Sequence, residues 1–216
     1  MTSAPAGLRV SIDGPAGALE AVVEEPGHSG DRYAVVCHPH PLFGGTMENK
    51  VVTTLARALL MTGCPVVRFN FRGVGRSGGA FDEGIGETAD AGAVAAWGEL
   101  RWPGRRFVIA GFSFGAYVAL RLAQLRPPAA LVTVAPPVKM TGLSRSYDFS
   151  RLRAPDCPWL VVQGDADEVV DARSVIDWAG GLEPRPQILV MPGVGHFFHG
   201  HLVGLRDAVV GALAGG

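Results

Sequence analysis

The chain has 216 residues, 48% of them hydrophobic, and a formal net charge of −1 from 19 basic and 20 acidic side chains. That size and apolar content can supply a buried core, and the balanced charge gives no electrostatic reason to expect nucleic acid or an anionic membrane surface as a partner. Three cysteines with no CxxC pair indicate neither a disulfide framework nor a zinc site.

The first residues, "MTSAPAGLRVSIDG", contain no basic n-region followed by an apolar h-region. They do not read as a signal peptide, and no apolar run in the chain reaches the ~18 residues that a membrane span requires. We therefore expect a cytoplasmic protein with no membrane association. "LRVSI" and "ALEAVVEE" then flank the turn residues "DGPAG", which predicts a β-hairpin.

Beyond the hairpin, short apolar strands alternate with segments of helical spacing. The predicted strands are "YAVVCH", "PVVRFNF", "RFVIAG", "AALVTVA", "WLVVQG" and "PQILVMPG"; the predicted helices are "MENKVVTTLARALL", "ETADAGAVAAWGEL", "GAYVALRLAQL", "DARSVIDWAG" and "HLVGLRDAVVGALA". Continuous apolar strands that alternate with helices predict an α/β fold, with a parallel sheet covered on both faces. We see no repeat or low-complexity linker, so we expect a single domain over residues 1–216.

One connection departs from this alternation. The roughly twenty residues from Val138 to Cys157 are polar, contain Pro155, and show no long helical pattern. They are too few for a large helical lid. We therefore predict no large cap, and an open cleft covered at most by a short loop around Met140 to Tyr147.

Residues 111–115, "GFSFG", form a G-x-S-x-G motif between a predicted strand and a predicted helix. At such a junction a tight turn exposes the serine hydroxyl, and side chains two positions before and after the serine would collide with neighbouring backbone. Ser113 is therefore the candidate nucleophile. The alternative is a serine that merely caps the helix.

A serine nucleophile requires a base and an acid that orients the base. Active groups of an α/β sheet lie beyond the carboxyl ends of the strands. His196, just after the last strand, is the candidate base, whereas His199 and His201 fall at a solvated helix start. Of three aspartates after the preceding predicted strand, we favour Asp167 as the acid.

The other two aspartates have simpler interpretations. Asp165 resembles a turn residue that bonds local backbone, and Asp171 a helix cap. The oxyanion hole needs two backbone N–H groups: Phe114, directly after the nucleophile, is one. The loop "CHPHPLFGG" supplies the other from His40 or Leu42, because prolines have no N–H, and we prefer His40. We expect His38 to shape the loop rather than to bind a metal.

The segment "GVGRSG", residues 73–78, matches GxGxxG, but the predicted helix begins only near Glu87. Dinucleotide binding would require a helix N-terminus directly after the glycines. We interpret the segment instead as a tight loop at the rim of the site, anchored by Arg72 and Arg76. No cofactor and no metal are expected.

Five segments together resemble small bacterial α/β-hydrolases related to dienelactone hydrolases: "HPHPLFGGTMENKVV", "FNFRGVGRSGG", "GFSFGAYVA", "GDADEVV" and "GVGHFF". The resemblance covers nearly the whole chain. It implies an eight-stranded, mostly parallel sheet flanked by helices, with an antiparallel strand near one edge. It also implies Ser113 as nucleophile, Asp167 as acid and His196 as base. Asn70 stands where many members of the wider fold have aspartate.

These residues predict a serine hydrolase of carboxylesterase or thioesterase type, acting on a small-molecule acyl substrate. An acyltransferase or peptidase with the same triad, or a binding module that retains the fold, is the alternative. Phe43, Phe112, Phe197 and Phe198 would line an apolar acyl pocket or else belong to the core. The natural substrate and the oligomeric state do not follow from the sequence.

Overall fold

The computed structural model describes residues 7–141 and 147–214. Within these residues the chain forms eight strands and five α-helices. The strands are β1 (Leu8–Gly14), β2 (Gly17–Glu24), β3 (Arg32–Cys37), β4 (Val66–Phe69), β5 (Arg106–Phe112), β6 (Ala130–Val134), β7 (Trp159–Gly164) and β8 (Gln187–Met191). The helices are α1 (Lys50–Met61), α2 (Ile85–Arg101), α3 (Phe114–Leu125), α4 (Ala172–Gly180) and α5 (Leu202–Ala214).

All eight strands belong to one sheet, in the order β1-β2-β4-β3-β5-β6-β7-β8. Strand β2 is antiparallel to both of its neighbours, β1 and β4, and the remaining pairs are parallel. The predicted α/β fold, with a mostly parallel eight-stranded sheet and an antiparallel strand near one edge, is confirmed. The carboxyl ends of the parallel strands therefore share one edge of the sheet, where side chains from distant parts of the sequence meet.

Apolar side chains cover both faces of the sheet, as the continuous apolar strands predict. On one face α1 and α5 contribute Val51, Leu55, Leu205 and Val209 to a buried cluster. On the other face α2, α3 and α4 pack a second cluster against the sheet. The strands are thus held from both sides, and the loops at their carboxyl ends rest on a rigid base.

The described parts of the connection between β6 and β7, residues 135–141 and 147–158, contain no helix. Met140 forms an isolated antiparallel bridge with Val170, and the Tyr147 ring lies 4.7 Å from that of Tyr117. The middle of the expected covering loop, residues 142–146, lies outside the described residues. None of the helices in the described part of the chain is long and apolar enough to cross a membrane.

The glycine-rich segment after β4 does not lead directly into a helix, since α2 begins only at Ile85. Arg72 anchors this loop as expected: its Nε and Nη2 donate to the Asp90 carboxylate at 3.0 and 2.8 Å. Arg76 differs from the expectation, because its backbone N–H, rather than its exposed guanidinium, donates to Glu20 Oε2 at 3.0 Å. Glu20 also accepts from Asn70 Nδ2 at 2.9 Å.

Candidate active site

Ser113, Asp167 and His196 lie beyond the carboxyl ends of β5, β7 and β8, and the structure brings them together. Ser113 Oγ lies 3.1 Å from His196 Nε2, and His196 Nδ1 lies 2.8 Å from Asp167 Oδ2. These distances join the three side chains in one chain of hydrogen bonds. Because the Asp167 oxygen accepts from Nδ1, the neutral imidazole carries its proton there and leaves Nε2 to accept from the serine hydroxyl.

Ser113 occupies a strained backbone conformation, with φ 54° and ψ −120°. Such a conformation typically costs about 1–3 kcal/mol and persists only where its surroundings impose it. Glycines on either side make the turn possible: a Cβ at Gly111 would lie 2.1 Å from Gly115 O, and one at Gly115 would lie 2.3 Å from Cys37 O. Ser113 precedes α3, yet its side chain makes no capping hydrogen bond. The hydroxyl faces His196 instead.

His196 is buried and held from several directions. Its backbone N–H donates to Glu168 Oε2 at 3.1 Å, which fixes the loop after β8. The Phe112 ring packs against the imidazole at a centroid distance of 5.0 Å. Backbone and ring are thus positioned independently of the two side-chain hydrogen bonds.

Asp167 accepts hydrogen bonds on both carboxylate oxygens. Oδ1 accepts from the backbone N–H groups of Val169 and Val170 at 2.9 and 2.7 Å. Oδ2 accepts from His196 and also from Gln163 Nε2, which lies 3.0 Å away. Burial works to raise the pKa of Asp167, but the bond to His196, the imidazolium charge and the two backbone donors outweigh it and lower the pKa below its usual value. Asp167 is therefore an ionised carboxylate at neutral pH.

The neighbouring aspartates do not contact His196. Asp171 caps α4 as expected, its Oδ1 accepting from Ser174 N at 3.2 Å. The prediction that Asp165 bonds local backbone is wrong. Its Oδ1 accepts instead from Gly193 N, 2.6 Å away in the loop after β8. Asp165 thus joins the two loops that carry Asp167 and His196. His199 and His201 are exposed ahead of α5.

The backbone around the serine hydroxyl supplies donors suited to an oxyanion. Phe114 is the first residue of α3, so its N–H has no acceptor within the helix. In the facing loop, a 3₁₀ turn over Pro41–Phe43, the Leu42 N–H donates to His40 Nδ1 at 3.2 Å. That bond already engages the Leu42 N–H, one of the two candidate donors. The His40 carbonyl accepts from the N–H groups of Phe43 and Gly45, which closes the turn.

His38 is fully buried and has a structural environment. Its Nε2 accepts from the Phe71 N–H at 3.0 Å, and its Nδ1 lies 2.6 Å from Pro39 O. Burial lowers the pKa of His38 to about 3, so the ring is neutral and donates from Nδ1. The side chain joins the loop after β3 to the loop after β4, which agrees with the expected loop-shaping role.

A cavity of about 320 Å³ opens beside Ser113 and His196. It is lined by Pro39, His40, Phe43, Gly44, Gly45, Asn49, Ser113, Phe114, Pro137, Met140, Tyr147, Val169, His196 and Phe197. No lysine, arginine, aspartate or glutamate belongs to this lining among the described residues. Two of the four predicted pocket phenylalanines, Phe43 and Phe197, lie here. Phe112 and Phe198 are instead fully buried in the core cluster beneath α1 and α5.

Two residues that hold the site were not predicted. Gln163 lies in β7, an otherwise apolar strand. An amide side chain next to two valines in such a strand is a sequence feature that could have indicated a role in the site. Glu168 follows Asp167 directly and bonds the backbone of His196 from across the loop. The sequence predicts neither contact. Glu168 and His196 are 28 residues apart, and Gln163 meets Asp167 only because the loop after β7 turns back toward the strand.

The chain is similar to a known protein family, to a curated protein and to solved structures. Residues 13–154 match the family model described as X-Pro dipeptidyl-peptidase (S15 family). The uncharacterized protein RP471 of Rickettsia prowazekii is 37% identical over 197 residues, which cover 88% of this chain and 82% of that protein.

Two solved structures are similar both in fold and in sequence. XC6422 from Xanthomonas campestris, described as an α/β serine hydrolase without lid, has a TM-score of 0.90 at 44% identity and covers 99% of this chain and 96% of its own. An α/β serine hydrolase homologue from Coxiella burnetii has a TM-score of 0.90 at 44% identity, covering 98% of this chain and 100% of its own. These similarities agree with the described connection between β6 and β7, which forms no helical cap.

Proposed function

The chain belongs to the α/β serine hydrolases without a large cap, within the S15 family, and we propose that it cleaves carboxylic ester or thioester bonds through an acyl-enzyme on Ser113. The observation that carries this proposal is the continuous chain of hydrogen bonds from Ser113 through His196 to Asp167, at 3.1 and 2.8 Å. Ser113 and His196 line an apolar cavity, and Ser113 directly precedes the N-terminus of α3.

The geometry supports a two-step reaction. Ser113 Oγ attacks the acyl carbonyl carbon while His196 Nε2 takes the hydroxyl proton, and Asp167 stabilises the imidazolium that forms. Collapse of the tetrahedral intermediate breaks the bond to the alcohol or thiol, which leaves with the proton from Nε2. Water then attacks the acyl-enzyme while giving a proton to Nε2. Collapse of the second tetrahedral intermediate breaks the bond to Ser113 Oγ, which takes the proton back from Nε2, and the carboxylic acid is released.

The negative oxygen of each tetrahedral intermediate would be bound by backbone N–H groups of Phe114 and His40. The Phe114 N–H points out of the first turn of α3, where the helix dipole also favours negative charge. A single donor of this kind is worth about 10²–10³-fold in turnover. The turn that carries the second proposed donor is closed by the His40 carbonyl, which accepts from Phe43 N and Gly45 N.

The lining of the cavity favours an uncharged acyl group. Its walls are aromatic and aliphatic, with Phe43, Phe114, Tyr147 and Phe197 among them, and no ionised side chain faces a substrate within the described residues. Burying a charged acyl group there would carry a desolvation cost without a compensating partner. We infer that small, neutral, apolar acyl esters or thioesters are preferred.

A second candidate, peptidase activity, is favoured by the match to the S15 model. Release of dipeptides requires recognition of a free N-terminal ammonium, and a carboxylate is the side chain that pairs with one. No aspartate or glutamate lines the cavity among the described residues. This lining supports the esterase or thioesterase proposal over the peptidase.

The proposal is tested by labelling with a fluorophosphonate probe and by a panel of substrates. The parent should be labelled and Ser113→Ala should not, while Ser150→Ala, at an exposed serine, should behave as the parent. The panel should contain acyl esters, acyl-CoA thioesters and X-Pro amides. Ser113→Ala should lower turnover of the preferred substrate by on the order of 10³-fold or more. Hydrolysis of X-Pro amides in preference to every ester and thioester would overturn the proposal.

A further inference from the structure

Gln163 is fully buried on β7, directly before the loop that carries Asp167. Its Nε2 donates to Asp167 Oδ2 at 3.0 Å and to its own neighbour, the Gly164 carbonyl, at 3.0 Å. Its Oε1 is buried and has no hydrogen-bond partner among the described residues. A buried amide whose carbonyl oxygen has no protein partner is uncommon, because such groups are costly to desolvate.

The orientation of this amide is determined by its neighbours. Both atoms that Nε2 faces, a carboxylate oxygen and a carbonyl oxygen, can only accept. The reversed amide would place Oε1 against them, oxygen against oxygen. The Nε2 donor of Gln163 therefore binds Asp167 even though Oε1 has no partner in the described part of the chain.

We propose that Gln163 is a positioning residue of the Ser113–His196–Asp167 triad: it shares Asp167 Oδ2 with His196 and thereby fixes the carboxylate and limits how strongly it binds the imidazole. This inference rests on the proposed function. With Val169 and Val170 on Oδ1, the carboxylate is held by four donors and cannot rotate away from His196. The Gln163 donor also withdraws part of the charge that Oδ2 would otherwise direct at Nδ1.

The other charged groups near the pair, within the described residues, have partners of their own, and Gln163 bonds none of them. Glu168, in the same loop, accepts from the His196 backbone N–H. Asp165 is bound to Gly193 N in the loop after β8, and Asp171, at the start of α4, pairs with Lys139 at 3.4 Å. A shift in pH dependence on substitution of Gln163 therefore reports on the bond to Asp167.

The test compares Gln163→Met, which keeps length but removes the donor, with Gln163→Glu and with Gln187→Met at an exposed position of β8. Gln163→Met should lower kcat by about ten-fold with KM nearly unchanged, a size seen when outer partners of a positioned histidine are removed. The acidic limb of its pH–rate profile should move up by about half a pH unit or more, because the freed carboxylate oxygen stabilises the imidazolium more strongly. Gln187→Met should match the parent.

Gln163→Glu provides the conservative rescue. A carboxyl group introduced beside Asp167 should stay protonated near neutral pH, because like charges disfavour its ionisation, and its O–H can then donate to Oδ2. Most activity should be retained there, and a new loss should follow at higher pH as the introduced carboxyl ionises.

A readout that needs no turnover is the downfield proton resonance of the His196 Nδ1–H group. It should move further downfield in Gln163→Met and return toward the parent in Gln163→Glu near neutral pH. If both folded variants show the resonance and pH profile of the parent, Gln163 only fills space and the proposal is overturned. If Gln163→Met does not fold, Gln163→Glu decides the question at high pH: a loss of activity accompanied by a shift of the resonance away from its parent position supports the proposal, and the parent's profile and resonance at every pH overturn it. A parent that no fluorophosphonate labels would refute the proposed function, whereas the resonance would still decide the role of Gln163.

Discussion

Replacing Asp167 by asparagine should disable the site with almost no change in its shape. The two backbone donors at 2.9 and 2.7 Å hold the Oδ1 side of the residue, so the asparagine carbonyl oxygen is retained there. The amide NH₂ then faces His196 Nδ1 and Gln163 Nε2. The asparagine NH₂ group is a donor, so Nδ1 can only accept from it, and the imidazole proton moves to Nε2. In that tautomer Nε2 cannot take the proton of Ser113.

The expected loss is about 10⁴-fold in kcat, the size seen when a triad acid is replaced by its amide. At about 1.4 kcal/mol per factor of ten, this corresponds to roughly 5 kcal/mol of transition-state stabilisation. The matched control is Asp165→Asn, two residues away in the same loop. Its asparagine oxygen can still accept from Gly193 N, so turnover should stay within a few-fold of the parent.

The measurement is kcat and KM on a short acyl ester over a range of pH, with folding checked by circular dichroism. Any residual activity of Asp167→Asn should have its acidic limb at lower pH, because the imidazolium no longer has a carboxylate beside it. If Asp165→Asn is inactive and Asp167→Asn is nearly normal, the assignment of the acid is reversed. If both retain activity, the acid lies on another strand and the reasoning from this loop fails.

Three further predictions follow from the same structure. Gly45→Ala should lower turnover by about 10²-fold, since its Cβ would lie 2.1 Å from Pro39 O and would open the turn that holds His40, while Gly27→Ala, with open space around it, should match the parent in a kinetic assay. If the cleft is open, as the short connection between β6 and β7 predicts, acetyl and butyryl esters should be hydrolysed; little activity on them beside strong activity on long chains would contradict this prediction. The lowered pKa of Asp167 means that its ionised form stabilises the fold above its unfolded-state value of about 3.9 and loses this contribution as pH falls through the lower folded value. Urea unfolding should therefore show the advantage of the parent over Asp167→Asn shrinking below about pH 4, and an advantage that is constant down to pH 2 would refute the linkage.

Much of the fold follows from local information in the sequence. The alternation of apolar strands with helical segments predicts the two-sided parallel sheet, because period and length are properties of neighbouring residues. The turn at Ser113 is local for the same reason: Gly111 and Gly115 leave room for backbone that passes directly beside them. The late start of the helix after the glycine-rich segment was also predictable, since the distance to the next helix is a local quantity.

The contacts between loops were decided by the tertiary structure. Asp165 and Glu168 belong to one loop and bond the backbone of another, about thirty residues later, so their partners depend on how adjacent strands are placed in the sheet. Tertiary packing also decided which of the four predicted pocket phenylalanines line the cavity. Phe43 and Phe197, both outside the strands, reach the cavity, whereas Phe112 at the end of β5 and Phe198 in the loop after β8 fill the core.

Gln163 shows which properties of a residue can be predicted from the sequence and which depend on tertiary packing. Its place in a strand was predictable from the valines around it, and so was its burial. Its partner was not, because a side chain on β7 meets Asp167 only when the loop after the strand turns back over the sheet edge. The sequence by itself determines the periodicity of the strands and helices and the positions where small residues allow a tight turn. Which donor meets which acceptor is determined by tertiary packing, which brings segments distant in sequence together.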